Sequence, residues 1–184
     1  MPKTALLVID MFNPYDHEDA DALVDSVEEA LPQIVKLRDR AMEADETMLV
    51  YVNDNYEHWE YSRETLVNLA LDGERPDLVE PLVPDTDVPF IAKGRHSIFY
   101  QTSVAHLLQV SDIERLVMCG QVTEQCIQYS VLDAYLRGYD LHVPRDAVAH
   151  INEDWARAAL EMMEGNMHAE LTGVADGALE AVSR

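Results

Sequence analysis

A three-layer αβα sandwich around a mainly parallel central sheet is the α/β fold class that this sequence predicts. Three observations predict it. Short apolar runs, several rich in β-branched residues, recur along the chain. Longer stretches with apolar residues at helical spacing separate them. Polar residues able to do chemistry stand just after the apolar runs. Strands buried on both faces read as near-continuous apolar runs, and parallel neighbours need helical crossovers between them. Right-handed crossovers then place helices on both faces of the sheet.

The first apolar run covers residues 5–9. An amphipathic stretch follows over about residues 20–44, with Leu23, Val27, Leu31, Ile34 and Leu37 at helical spacing. Its start, Glu18-Asp19-Ala20-Asp21, sets carboxylates at the positive end of the helix dipole. Pro32 falls inside this stretch and is expected to kink or divide it. The remaining runs cover residues 48–52, 88–92, 116–119 and 141–143, the last just after Gly138. Helical patterns cover residues 103–109, 124–137 and 153–167. There is no internal repeat and no low-complexity segment, so residues 1–184 read as a single domain.

Composition bounds the function. The 35 acidic and 13 basic side chains give a formal charge of −22. Phosphate backbones and anionic membranes would be repelled, so no nucleic-acid partner and no membrane partner is expected. The N-terminal apolar run is too short for a signal sequence or a membrane span, and a cytoplasmic location follows as the expectation. Cys119 and Cys126, the two cysteines, stand seven apart and form neither a disulfide framework nor a zinc motif.

In an open parallel sheet, ligands sit beyond the carboxyl ends of the strands. Asp10, Asn53, Asp54, Lys93, the segment from Gly120 to Cys126, and Asp146 all fall there. Cys126 follows a glycine turn and opens a helical pattern. The helix dipole and free N–H groups of a first turn lower a thiol's pKa, which predicts a thiolate nucleophile. The plainer reading of a cysteine is a buried structural one, and Cys119, inside an apolar strand, fits that reading. Asp10 and Lys93 each end an apolar run, and on adjacent parallel strands they would meet. Such a pair reads equally as a structural salt bridge or as an acid held by an amine. In the catalytic reading, Asp10 takes the thiol proton and returns it to the leaving group, and Cys126 attacks a carbonyl. Lys93 orients Asp10, and the N–H groups of Val122 and Cys126 line an oxyanion pocket.

Three blocks carry a resemblance to a known family. They are Leu-Leu-Val-Ile-Asp-Met-Phe ending at Phe12, Lys-Gly-Arg-His-Ser-Ile-Phe-Tyr-Gln-Thr at 93–102, and Gly-Gln-Val-Thr-Glu-Gln-Cys-Ile at 120–127. The last runs on into Asp133-Ala134 and Gly138-Tyr139. In order and spacing the chain resembles the isochorismatase-like cysteine hydrolases, which include nicotinamidases, N-carbamoylsarcosine amidase and isochorismatases. The resemblance covers nearly the whole chain. It implies the isochorismatase-like hydrolase fold and an Asp-Lys-Cys triad at Asp10, Lys93 and Cys126. It also implies a non-proline cis peptide at Gln121–Val122. The implied activity is hydrolysis of a small-molecule amide or ureide C–N bond through a thioester. A homo-oligomer, dimer or tetramer, is implied in the same way.

Metal-dependent nicotinamidases carry an Asp-x-His element after the second strand. Here that region reads Asn53-Asp54-Asn55-Tyr56-Glu57-His58-Trp59, without that spacing. No metal and no other cofactor is therefore expected. Isochorismatases proper cleave a vinyl ether and need no thiol, so an ether hydrolase is the alternative, as is a non-catalytic member of the fold. Retention of Cys126 favours C–N hydrolysis. Phe12, Asn53, Trp59, Arg95, Phe99 and Tyr129 are the residues assigned to the substrate pocket, with Tyr15 as a further aromatic wall. Arg95 and His96 suit contact with an anionic substrate, while Arg95 suits a structural ion pair equally well. Asp133 shares the helix face of Cys126 and has Arg137 one turn on. Trp155, Leu160, Met162 and Met163 mark the last helix as a contact surface or as core packing.

Overall fold

The computed structural model describes residues 3–58, 61–84, 87–176 and 179. Six strands form one sheet: β1 (Thr4–Ile9), β2 (Thr47–Asp54), β3 (Phe90–Lys93), β4 (Arg115–Gln121), β5 (Asp140–His142) and β6 (Val148–Ala149). The order across the sheet is β3-β2-β1-β4-β5, with β6 beside the far end of β4. Every pairing among these strands is parallel. Five helices cover it: α1 (Ala20–Glu43), α2 (Arg63–Leu71), α3 (Val104–Val110), α4 (Gln128–Leu136) and α5 (Glu153–Met167).

Strand periodicity sorts the core into two layers. Leu6 and Val8 of β1, Leu49 and Tyr51 of β2, and Val117 and Cys119 of β4 pack with α1, α2 and the turns at Pro76–Leu78 and Glu80–Leu82. Ala5, Leu7 and Ile9, Val50 and Val52, and Leu116 and Met118 pack on the opposite face with α3, α4 and α5. This is the three-layer sandwich read from the sequence. Cys119 is fully buried, with its thiol against the Leu7 carbonyl, the structural role its strand position implied.

Several details differ from expectation. Pro32 neither breaks nor divides α1, which runs unbroken over 24 residues. The carbonyl four residues back belongs to exposed Glu28, where water can replace the missing helical donor. The pattern at 124–137 is not one helix. It opens with a π-helical turn at Thr123–Ile127 and becomes α only at Gln128. Helix α2 and strand β6 carry too few periodic residues to stand out in sequence. On α5, Ala159 and Met163 are buried while Trp155 and Met162 face outward, so that helix divides between core and surface. Among the described residues, no helix is long and apolar enough to cross a membrane.

Gly120 fixes the exit of the central strands. Its φ is +115°, and a Cβ there would lie 2.1 Å from the Ile9 carbonyl oxygen. Its N–H donates to Ala147 O at 2.9 Å, and its Cα pairs with Ile9 in the sheet. Both neighbours are backbone and have nowhere to move. We expect Gly120→Ala to destabilise the fold by roughly 3 kcal/mol or more. Urea unfolding measures this, and a loss below about 1 kcal/mol would show that the two strands can separate there.

Candidate active site

Four strand ends meet at one place. Asp10 follows β1 directly in a left-handed conformation, φ 57°. That conformation is held because its N–H donates to Val52 O at 2.9 Å and its carbonyl accepts from the Gln121 side chain. Asn53, fully buried, staples the next residues. It accepts from Phe12 N at 2.9 Å and donates to Phe12 O at 3.0 Å. The backbone N–H of Asp54 then donates to Asp10 Oδ1 at 2.7 Å.

Lys93 ends β3. Its Nζ lies 2.8 Å from Asp10 Oδ2 and 3.5 Å from Asp54 Oδ2. The Cys126 Sγ is 3.5 Å from the same nitrogen. Asp10, Lys93 and Cys126 are therefore one buried cluster, exposed by 7%, 2% and 8%. The route to it differs from the one expected. β1 and β3 are not neighbours, because β2 lies between them. The long lysine side chain spans the end of β2 to reach the carboxylate, and Asp54 on β2 becomes its second partner.

The loop after β3 is tied to α4. Ser130 Oγ donates to Cys126 O and accepts from Ile98 N, and Ser97 donates to Asp133. Asp133 also meets Arg137 at 3.7 Å, the pair one turn apart. These bonds bring His96 against the thiol, with Nδ1 3.6 Å from Sγ and its ring stacked on Tyr129 at 5.4 Å. On the other side of Cys126, the Gln121–Val122 peptide is cis. Gln121 is fixed by Asp10 O and by a 3.4 Å contact from the Tyr15 hydroxyl.

Charge in this cluster is governed by burial. Burial pushes the Asp10 carboxyl above its ordinary value of 3.8, and Lys93 reverses only part of that rise. Burial alone would lower Lys93, but Asp10, Cys126 and Asp54 raise it instead, so it stays an ammonium. The thiol of Cys126 moves up, not down as its position after the glycine turn suggested. Burial is the main cause, the Asp10 carboxylate adds to it, and Lys93 offsets only part. The resting sulfur is therefore a thiol.

The remaining sequence-assigned residues separate into two groups. Phe12 packs in the core against Tyr51 and Phe90, both at 5.5 Å between ring centroids. Phe99 stacks with Tyr139 under Arg137. Asn53 spends its amide on Phe12 and Asp54. All three are buried, with aromatic partners or backbone hydrogen bonds, and none lines the cleft beside Lys93. Tyr15 is likewise buried. Arg95 and Tyr129 are exposed near the cluster. Trp59 lies outside the described residues. Asp54 meets both Lys93 and Asp10, and His96 meets the Cys126 sulfur. The signal for Asp54 was its place after β2; the contact of His96 depends on the tie to α4, which no spacing reveals.

A cleft of about 330 Å³ opens beside Lys93, lined by Asn55, Tyr61, Arg95, Tyr100 and Gln101. A larger cavity of about 610 Å³ lies between α1 and α5 and contains no member of the cluster. Among the described residues, no group of three or more His, Cys, Asp or Glu side chains is arranged to hold a metal ion.

Comparison with known proteins agrees with this architecture. The family model described as "Isochorismatase domain" matches residues 4–176. YaaI, an isochorismatase family protein of Bacillus subtilis, is 28% identical over 91% of this chain and 92% of its own length. Maleamate amidohydrolase of Pseudomonas putida is 26% identical over 83% of this chain and 75% of its own length. An isochorismatase-like hydrolase of Alkaliphilus metalliredigens superposes with a TM-score of 0.78 at 23% identity. It covers 96% of this chain and 97% of its own.

The cluster makes a stability prediction with a definite sign in pH. Lys93→Met strands the Asp10 carboxylate in a buried site. The folded-state pKa of Asp10, already above 3.8, then rises further. The penalty is full where the carboxylate is ionised in both states and fades as pH falls toward the unfolded value. We expect a loss of about 3–5 kcal/mol near pH 7 and a much smaller one near about pH 4, read by urea unfolding at both. Equal losses at the two pH values would mean that Lys93 does not neutralise Asp10.

Proposed function

The chain belongs to the isochorismatase family, and from that premise we propose that it hydrolyses a C–N bond of a small-molecule amide or ureide through a thioester on Cys126. The observation that carries this reading is the single contact set in which Lys93 Nζ lies 2.8 Å from Asp10 and 3.5 Å from the Cys126 sulfur. A structural ion pair has no use for a thiol at its edge.

The steps follow from the charges. The ionised Asp10 carboxylate takes the Sγ proton as sulfur bonds to the substrate carbonyl carbon. The carbonyl electron pair moves to oxygen, where the N–H groups of Val122 and Cys126 are the assigned donors beside Gln121. The pair returns, the C–N bond breaks, and Asp10 passes its proton to the departing nitrogen. Water then attacks the thioester, giving its proton to Asp10, and the thiol recovers that proton as the acid leaves. Lys93 keeps Asp10 ionised between steps. The raised thiol pKa fits this scheme, because a neutral thiol hands Asp10 the proton that the leaving nitrogen requires.

Support for amide chemistry also comes from the relative named as a maleamate amidohydrolase. The ether-hydrolase alternative needs no thiol in contact with the lysine, and the non-catalytic alternative needs no intact set of three.

Ammonia release from a panel of small amides and ureides is the direct test. Wild-type protein is expected to turn over at least one, and Cys126→Ser none. Ammonia at the same rate from both would end the proposal, and turnover of a vinyl ether that stays intact in Cys126→Ala would favour ether cleavage. Asp10→Asn is expected to lower kcat/KM by about 10²–10⁴-fold. The carboxylate is the active form, so kcat/KM falls on the acid side, with a midpoint above 3.8.

A further inference from the structure

The cleft beside Lys93 contains two hydrogen-bond donors that the protein itself leaves unanswered. Arg95 is exposed, and its guanidinium donates to the neighbouring Gly94 carbonyl at 2.9 Å. It makes no ion pair among the described residues. Most other arginines of this acidic chain do: Arg38 with Asp39, Arg75 with Glu28 and Asp77, Arg115 with Glu170, Arg137 with Asp133, and Arg157 with Asp154. Carboxylates are abundant at a formal charge of −22, yet Arg95, like Arg40 and Arg145, donates to a backbone carbonyl instead. The ion-pair reading of Arg95 left open by the sequence is thereby removed.

Asn55 supplies the second donor. It is 5% exposed, and its Oδ1 accepts from Glu57 N at 3.1 Å. Its Nδ2 makes no hydrogen bond among the described residues and is not one of the buried polar atoms left unsatisfied there, so water reaches it. Arg95 and Asn55 line the same cleft of about 330 Å³, with the Tyr61 and Tyr100 rings exposed beside them. The cleft adjoins the reacting cluster on both sides. Asn55 follows Asp54, whose N–H holds Asp10, and its own N–H donates to Lys93 O. Arg95 precedes His96, whose Nδ1 touches the sulfur. Lys93 contributes no free charge here, because its side chain is fully buried against Asp10 and Asp54.

We propose that this cleft is a carboxylate subsite, in which Arg95 and the Asn55 amide hold the anionic end of a short amide or ureide while its carbonyl lies at Cys126. A guanidinium fork and an amide N–H match the two oxygens of a carboxylate, and neither group can accept a hydrogen bond at those nitrogens. The surrounding acidic surface repels anions, so the local cation decides whether such a substrate is held. The substrate class is then a small molecule with an amide at one end and a carboxylate at the other. This rests on the amide-hydrolase reading for its chemistry, but its binding half stands apart from that reading.

The test pairs substrates of equal length, succinamate against butanamide and malonamate against propanamide. In wild-type protein the carboxylate member of each pair is expected to have the higher kcat/KM. Added salt should raise its KM. Arg95→Gln should cut the selectivity ratio at least tenfold through KM, with Arg95→Lys recovering part of it, and circular dichroism checks the fold of each variant. A ratio unchanged in Arg95→Gln, or a wild-type preference for the neutral amides, overturns the subsite. Calorimetry on Cys126→Ser protein separates this from the catalytic proposal. Succinamate bound there and lost in Arg95→Gln/Cys126→Ser, with no amide hydrolysed by the wild type, sustains the subsite and ends the hydrolase reading. Hydrolysis of amides without any calorimetric role for Arg95 does the reverse.

Discussion

The buried ion pair between Asp10 and Lys93 is the constraint on which the rest of this structure depends. Removing two charges from water is costly, and their attraction repays it only with close geometry and further hydrogen bonds. Both conditions are met. The charged atoms are 2.8 Å apart, and Asp54 N supplies the second bond to the carboxylate. Meeting them dictates the local backbone: the left-handed turn at Asp10, the Asn53 staple on Phe12, and the Gln121 bond to the Asp10 carbonyl. A change in any of these moves the pair, and with it the environment of the sulfur.

Burial is the main reason the thiol keeps its proton, and the pair adds to it. A lone ammonium 3.5 Å away would favour a thiolate. Lys93 is already shared with Asp10 and Asp54, so little of its charge is left to act on sulfur. A position after a glycine turn is a real signal for an activated cysteine, but it acts through a dipole that burial and a neighbouring carboxylate overcome. The result is an acid, an amine and a protonated thiol in contact within one buried cluster. The π-helical turn at Thr123–Ile127 presents the cysteine to them.

Surface charge and site charge obey different rules in this chain. Most of the carboxylates are exposed, where water screens them. Near the cluster the balance is local: one ammonium is consumed by two carboxylates, and one guanidinium faces a cleft without any. Net charge acts at the scale of the whole molecule, and it does not decide what a cleft of a few hundred cubic ångströms prefers.

The strands, their parallel arrangement and the residues at their carboxyl ends were legible in the chain, because an apolar run buried on both faces has no other common use. The same logic singled out Asp10 and Lys93 where apolar runs stop, and Cys126 a glycine turn beyond another. Tertiary structure decided what depends on neighbours distant in sequence. It put β2 between β1 and β3, so that Lys93 had to cross a strand and Asp54 joined the pair. It gave Phe12, Asn53 and Phe99 to packing and backbone stapling, since an aromatic or amide side chain at a strand end looks the same facing the core or a cleft. It brought His96 to the sulfur through Ser130 and Asp133. Periodicity along the chain records which face a residue buries, whereas which side chains share a partner is fixed only when separate strands and helices close on one another.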